Sequence, residues 1–177
     1  MTEPRHLPAG DGPAVWIGDS LHTVKLTGRD SGGATSMLEI TVPPGEGPPP
    51  HAHGNEDETV HVLAGRLAFQ LGDREVVAGP GDVVFIPRGT VHAVRNVGDE
   101  VGRTVTTYVP GGMDEYFVRA GTPAEPGSAP PPMTPERLRA AVELAPEYGM
   151  TIAPPPGMAG PGGPGGTGHP GSGRAGR

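Results

Sequence analysis

From residue 14 to residue 109 the chain is a succession of short apolar runs broken by turn residues every few positions. Segment 34–42 shows the rule: Leu38, Ile40 and Val42 fall on one face of an extended strand, and Met37, Glu39 and Thr41 on the other. Segments 14–18 and 21–27 are β-rich and separated by Asp19-Ser20. Segments 59–64 and 67–71 flank Gly65-Arg66, and Leu71-Gly72-Asp73-Arg74 reads as a hairpin turn into 75–78. Strands at 83–86, 91–96 and 103–109 complete the series. Many short strands at even spacing, punctuated by Gly and Pro, predict an all-β sandwich or barrel.

The pattern changes after Pro110. Residues 114–120 suit a short helix, and 121–133 read as a proline-rich linker. Thr134-Pro135 is then a strong helix start, with Thr as cap and Pro at the first helical position. Leu138, Ala141, Val142 and Ala145 recur at helical spacing, which predicts one apolar face docked on the barrel. The chain thus divides into a flexible arm at 1–12, a barrel at 13–110, a helical extension at 111–153 and a Gly/Pro tail at 154–177 expected to be disordered.

Composition narrows the function. The 177 residues include 31 glycines and 24 prolines but no cysteine, so any metal site uses nitrogen and oxygen donors. A net charge of −7 argues against a nucleic-acid partner. With neither a transmembrane stretch nor a signal-peptide core, no membrane partner and a cytoplasmic location are expected.

Three of the seven histidines fall in two ordered segments. The first, from Gly45 through His51, His53 and Glu58 to Gly65, reads G-x5-H-x-H-x4-E-x6-G. The second, from Gly81 through Pro87, Gly89 and His92 to Asn96, reads G-x5-P-x-G-x2-H-x3-N. Alternation puts His51 and His53 on one face of a strand, and three imidazoles with one carboxylate are a ligand set for a divalent transition metal. Glu56 competes for the carboxylate role, but Glu58 is in phase with Val60 and Val62 of the following strand. His61 points away from Glu58 by the same alternation. His22 is taken as a satisfied sheet histidine, Glu39 as a solvated or interface carboxylate, and Asn96 as a hydrogen-bonding strand-end residue. His6 and His169 lie in the expected loose ends.

The two segments resemble the two signature motifs of the cupin superfamily, separated by the 15 residues 66–80. The strand pattern extends the resemblance to about 14–109, and 112–153 is similar to the extension of small single-domain bacterial cupins of the quercetinase-like kind. The resemblance implies a double-stranded β-helix (jelly-roll) barrel with His51, His53, Glu58 and His92 holding one metal in its mouth. Fe, Mn, Ni, Co, Cu and Zn all suit such donors. It also implies a small-molecule substrate, with dioxygen as a second one if the protein is a dioxygenase, and Glu58 as general base. Val60, Val62, Phe69, Phe85 and Val94 are the expected pocket lining for a flavonol, polyketide or other enolisable aromatic. A metal-dependent isomerase or cyclase and a non-catalytic binding protein remain open on this reading. Exposed edge strands predict a homodimer.

Overall fold

The structure is a computed structural model describing residues 3–153, so the expected tail at 154–177 lies outside it. Two antiparallel sheets face each other. The strands are β1 (Ala14–Ile17), β2 (Ser20–Leu26), β3 (Ser36–Val42), β4 (His51–His53), β5 (Asp57–Ala64), β6 (Leu67–Leu71), β7 (Arg74–Ala78), β8 (Val83–Ile86), β9 (His92–Asn96), β10 (Gly102–Val109), β11 (Thr122–Pro123) and β12 (Met150–Ile152). One sheet runs β11-β1-β2-β3-β10-β5-β8 and the other β12-β4-β9-β6-β7. The helices are α1 (Met113–Ala120) and α2 (Pro135–Leu144), the latter followed by a short 3-10 turn. The expected all-β jelly-roll barrel with short C-terminal helices is what the chain forms.

Alternation places the core as the sequence predicts. Leu38 and Val42 are buried while Glu39, on the other face of β3, pairs with Arg103 at 2.6 Å on the surface. Val60 and Val62 of β5 join Leu67, Phe69, Ala78, Val84 and Ile86 in one apolar cluster. A second cluster gathers Val15, Val24 and Leu38 of the barrel with Tyr108 and with Met113, Tyr116 and Phe117 around α1.

The two motifs are tied to each other at both ends. The Gly45 N–H donates to the Asn96 carbonyl, and the Asn96 N–H to the Glu46 carbonyl, each at 2.9 Å. The buried Asn96 amide donates to the carbonyls of Val42 (2.8 Å) and Glu100 (2.7 Å) and accepts from the Gly98 N–H (3.0 Å), as expected of a strand-end residue. Gly89 adopts φ 78°, a left-handed turn conformation that glycine enters without a Cβ penalty, and its N–H donates to the His53 carbonyl at 2.7 Å. Gly65 is needed for closeness as well as φ: a Cβ there would stand 2.6 Å from the Gly102 Cα.

Three details depart from the sequence reading. Residues 3–12 form no strand, yet they are held on the barrel: Lys25 donates to the carbonyls of Pro8 (3.2 Å) and Asp11 (2.7 Å), and Arg5 pairs with Asp30 at 2.5 Å. The strands β11 and β12, too short to carry a periodic signal, extend each sheet by one. The predicted apolar face of α2 does turn inward, but no residue of that helix is fully buried. Its Leu138 and Ala141 border a cavity instead of packed side chains. The Thr134 cap forms as expected, its hydroxyl accepting from the Arg137 N–H at 3.4 Å.

Candidate metal centre

His51, His53 and His92 come from one sheet and Glu58 from the other, so the site bridges the barrel. His51 of β4 lies in register with His92 of β9, and their rings are 4.2 Å apart. His53, two residues along β4, brings its ring to 5.1 Å from that of His51. Glu58 enters from β5, whose start is pinned by Asp57. That carboxylate accepts from the Arg88 backbone N–H (2.9 Å) and from its guanidinium (3.1 and 2.9 Å). One donor atom from each of the four residues lies within 4.8 Å of the others.

The surroundings set which atoms face inward. The Nδ1 atoms of His51 and His92 lie 3.0 Å from the Pro49 carbonyl and 2.9 Å from the Thr90 carbonyl. A carbonyl only accepts, so in the neutral ring Nδ1 carries the proton and Nε2 presents a lone pair. Such outer contacts orient metal-ligating imidazoles. Glu58 Oε2 sits 3.0 Å from His92 Nε2 and 3.4 Å from His53 Nε2.

These are costly positions without a further partner. His53 Nδ1 and Nε2, His92 Nε2 and Glu58 Oε2 are buried and lack a well-formed hydrogen bond. Buried polar atoms are normally satisfied. A divalent cation accepting their lone pairs fits both the donor chemistry and the convergence.

Electrostatics agree. Burial opposes charge on Glu58, but hydrogen bonds and the charges of His53 and His92 outweigh it and hold the carboxyl well below its usual range. Burial, then the neighbouring His92 and His53, lower His51 to about 4, so it stays an unprotonated donor at neutral pH. For His92 burial is outweighed by the hydrogen bond that Nε2 would donate to Glu58 once protonated and by the charge of that carboxylate, and the pKa rises.

A cavity of about 330 Å³ opens beside the cluster. That volume is at the low end of the range for small-molecule sites. Val60 and Val94 line it, as expected, together with His51 and Glu58. Val62 and Phe69 do not border it; both lie in the apolar cluster at 0% exposure. Phe85 is a correction. β8 alternates with Val84 and Ile86 inward, so Phe85 points out and is 59% exposed. His61 also points outward, as alternation required.

One residue set aside is nonetheless buried, and one expectation is overturned. Glu56, the competing carboxylate, lies outside the four-residue cluster but is buried with Oε2 unpartnered. Burial raises its pKa, with His53 and Arg88 pulling the other way. His22 is a sheet histidine but not a satisfied one: it is 7% exposed, its Nδ1 has no hydrogen-bond partner, and it borders the cavity. Burial lowers it to about 4.

Tyr108 was missed altogether. It sits on β10 opposite Glu58, with its ring 5.2 Å from that of His53. Burial first, then the Glu58 and Glu56 charges and a hydrogen bond to Glu58, push its pKa well above normal, so the phenol stays protonated. Its place at an alternating inward position of a late strand was the available signal. The outer wall comes from the extension: Phe117 of α1, Met133, Leu138 of α2, and Met150 of β12.

Residues 38–108 match the family model described as a cupin domain. Quercetin 2,3-dioxygenase of Bacillus subtilis is 28% identical over 122 residues, covering 69% of this chain and 36% of that protein. Germin-like protein 5-1 of Oryza sativa subsp. japonica is 38% identical over 90 residues, covering 47% of this chain and 39% of that one. The chain therefore spans well under half the length of either relative. Among solved structures, an uncharacterized conserved protein with a double-stranded beta-helix domain from Klebsiella pneumoniae aligns with TM-score 0.52 and 22% identity. That alignment covers 62% of this chain and 92% of the other. Among the described residues no helix is long and apolar enough to cross a membrane.

Proposed function

We propose, on the premise that residues 38–108 of this chain are a cupin domain, that the protein is a metal-dependent dioxygenase. Its substrate would be an enolisable, mostly apolar small molecule such as a flavonol or polyketide. The observation that carries the reading is the convergent His51/His53/Glu58/His92 cluster, with buried unpartnered atoms on His53, Glu58 and His92, opening onto an apolar cavity. The similarity to the Bacillus quercetin 2,3-dioxygenase supports the choice of substrate class.

His51, His53, His92 and Glu58 would hold the metal, which would supply Lewis acidity toward a substrate oxygen and a place for dioxygen. The chain's own part is more specific. Glu58 is ionised at neutral pH and can take a proton from a substrate hydroxyl. Because its pKa is held low, that transfer demands an acidic hydroxyl, an enol or a phenol, and disfavours a simple alcohol. Tyr108, kept protonated beside Glu58, is a hydrogen-bond donor for the oxygen left behind. The apolar walls, Val60 and Val94 from the barrel and Phe117, Leu138 and Met150 from the extension, exclude water from the reacting centre.

Protein reconstituted separately with Fe, Mn, Ni and Co is expected to consume dioxygen with quercetin or an enolisable diketone for at least one metal. An oxygen electrode is the measurement. Substrate turnover without oxygen uptake would overturn the dioxygenase reading in favour of a metal-assisted isomerisation or cyclisation at the same site.

We also propose pairing through the β8 edge, where Val83 and Phe85 are 60% and 59% exposed beside His61. Light scattering is expected to give a dimer at micromolar concentration, and a monomeric mass would refute it.

A further inference from the structure

The cavity has a second polar point that the proposed chemistry leaves unused. His22 projects from β2, where its neighbours in register are Val15 on β1 and Ile40 on β3. Neither offers a polar side chain. Its ring stacks on Phe117 of α1, with centroids 4.8 Å apart and planes at 26°. Phe117 in turn lies 6.0 Å from Tyr108, and Tyr108 5.2 Å from His53, so a row of aromatic rings separates His22 from the metal cluster. The stacking fixes the ring plane, and the ring borders the cavity.

A histidine needed only for packing would cost less as phenylalanine or leucine. Leaving a buried ring nitrogen without a partner is unfavourable by about 1–3 kcal/mol. The cavity wall around it is apolar, with Ile17, Ile40 and Phe117 nearby in the lining. No lysine or arginine is among the described residues that line the cavity. His22 itself is neutral at neutral pH. An anionic group would therefore find no charge partner at this end, whereas an uncharged hydroxyl, which both donates and accepts, satisfies Nδ1 in either tautomer.

We propose that His22 is a substrate-positioning residue, whose Nδ1 hydrogen-bonds an uncharged hydroxyl on the ligand remote from the oxygen directed at His51, His53, Glu58 and His92. This rests on the proposed reading of the cluster as the reacting centre, and it narrows the substrate to a neutral, ring-containing molecule with two separated oxygen functions. Phe117 supports the ring of His22 from the other element. Asp19, Ser20, Glu46, Thr104 and Thr106 border the same cavity and are the competing polar groups.

The test uses three matched probes on full-length, metal-loaded protein: 3-hydroxyflavone and its 7-hydroxy and 4′-hydroxy derivatives, with affinities by calorimetry. One of the two hydroxylated probes is expected to bind about tenfold more tightly than 3-hydroxyflavone, the scale of one well-placed hydrogen bond to a buried group. In His22→Phe that advantage is expected to shrink to within about twofold, with unchanged affinity for 3-hydroxyflavone and unchanged metal content. Should His22→Phe fail to fold, the wild-type comparison and His22→Asn decide. Equal affinities for all three probes in wild-type protein overturn the role of His22 while leaving the reacting centre intact. An advantage that persists in the His22 variant overturns it in favour of another polar group of the cavity wall, Asp19, Ser20, Glu46, Thr104 or Thr106. Binding by none of the three overturns the proposed substrate class and this inference together.

Discussion

His92→Ala and His53→Ala proteins are expected to emerge from purification without divalent metal, and wild-type protein is expected to carry close to one per chain. Each removes one of four convergent donors and leaves Glu58 facing a hole, since Oε2 sits 3.0 Å from His92 Nε2 and 3.4 Å from His53 Nε2. Loss of a contact that merely orients a ligand weakens metal binding about 10–100-fold, so loss of a ligand itself is expected to cost more than about 100-fold. Elemental analysis by plasma mass spectrometry reads the result, and stoichiometric retention in both variants would sink the assignment. The wild-type site should also release metal on acidification. His92 has a raised pKa because the hydrogen bond and charge of Glu58 outweigh burial. As pH falls through that value, a proton takes the nitrogen the metal needs, and apparent affinity drops. His51, lowered to about 4, does not compete for protons until far lower pH. A chelator titration should therefore show weaker binding at about pH 6 than at about pH 8, with His92 as the controlling group.

The second large effect is on stability. Phe69→Ala is expected to cost about 3–5 kcal/mol, measured as a lower urea midpoint with an unchanged slope. Phe69 has no exposed surface and sits among Val62, Leu67, Ala78 and Ile86 on β6, the strand that pairs with the His92 strand. A cavity there is a large fraction of the 5–15 kcal/mol that holds an ordinary domain together. Phe85→Ala is the internal control. Its ring points out of the barrel, so at concentrations below those at which the chain pairs a cost above about 1 kcal/mol would show that the outward placement of β8 is wrong.

The contrast between these two phenylalanines shows how far the sequence reached. The convergence of His51, His53, Glu58 and His92 was legible because its information is local. His51 and His53 share a strand face by simple alternation, Glu58 is in phase with Val60 and Val62, and the turn at Pro87 and Gly89 announces His92. Phe85 was not legible, because Val83, Val84, Phe85 and Ile86 are all apolar and alternation in such a run has no visible phase. Only pairing with β5, Phe85 opposite Thr59 and Ile86 opposite Glu58, sets which side is in. His22 and Glu56 failed for a different reason. Each position was placed correctly along the chain, but whether a side chain is covered depends on elements far away in sequence. For His22 the cover is Phe117, some ninety residues on. The extension was read as a docked helix; that it forms the outer wall of the cavity depends on contacts no periodicity encodes.

On the proposed function, the short strand β12 would tie retention of the metal to access for the substrate. Met150, Thr151 and Ile152 pair with His53, Ala52 and His51, so the backbone carrying two of the four donors is held on one side by the extension and on the other by β9. The same Met150 and Ile152 border the cavity. An opening made by peeling away this strand would loosen the ligand strand at the same moment, leaving His51 and His53 on a three-residue ribbon fastened along one edge. Substrate traffic compatible with repeated turnover would instead pass beside Met133 and α2, where the helix touches the cavity without joining a sheet.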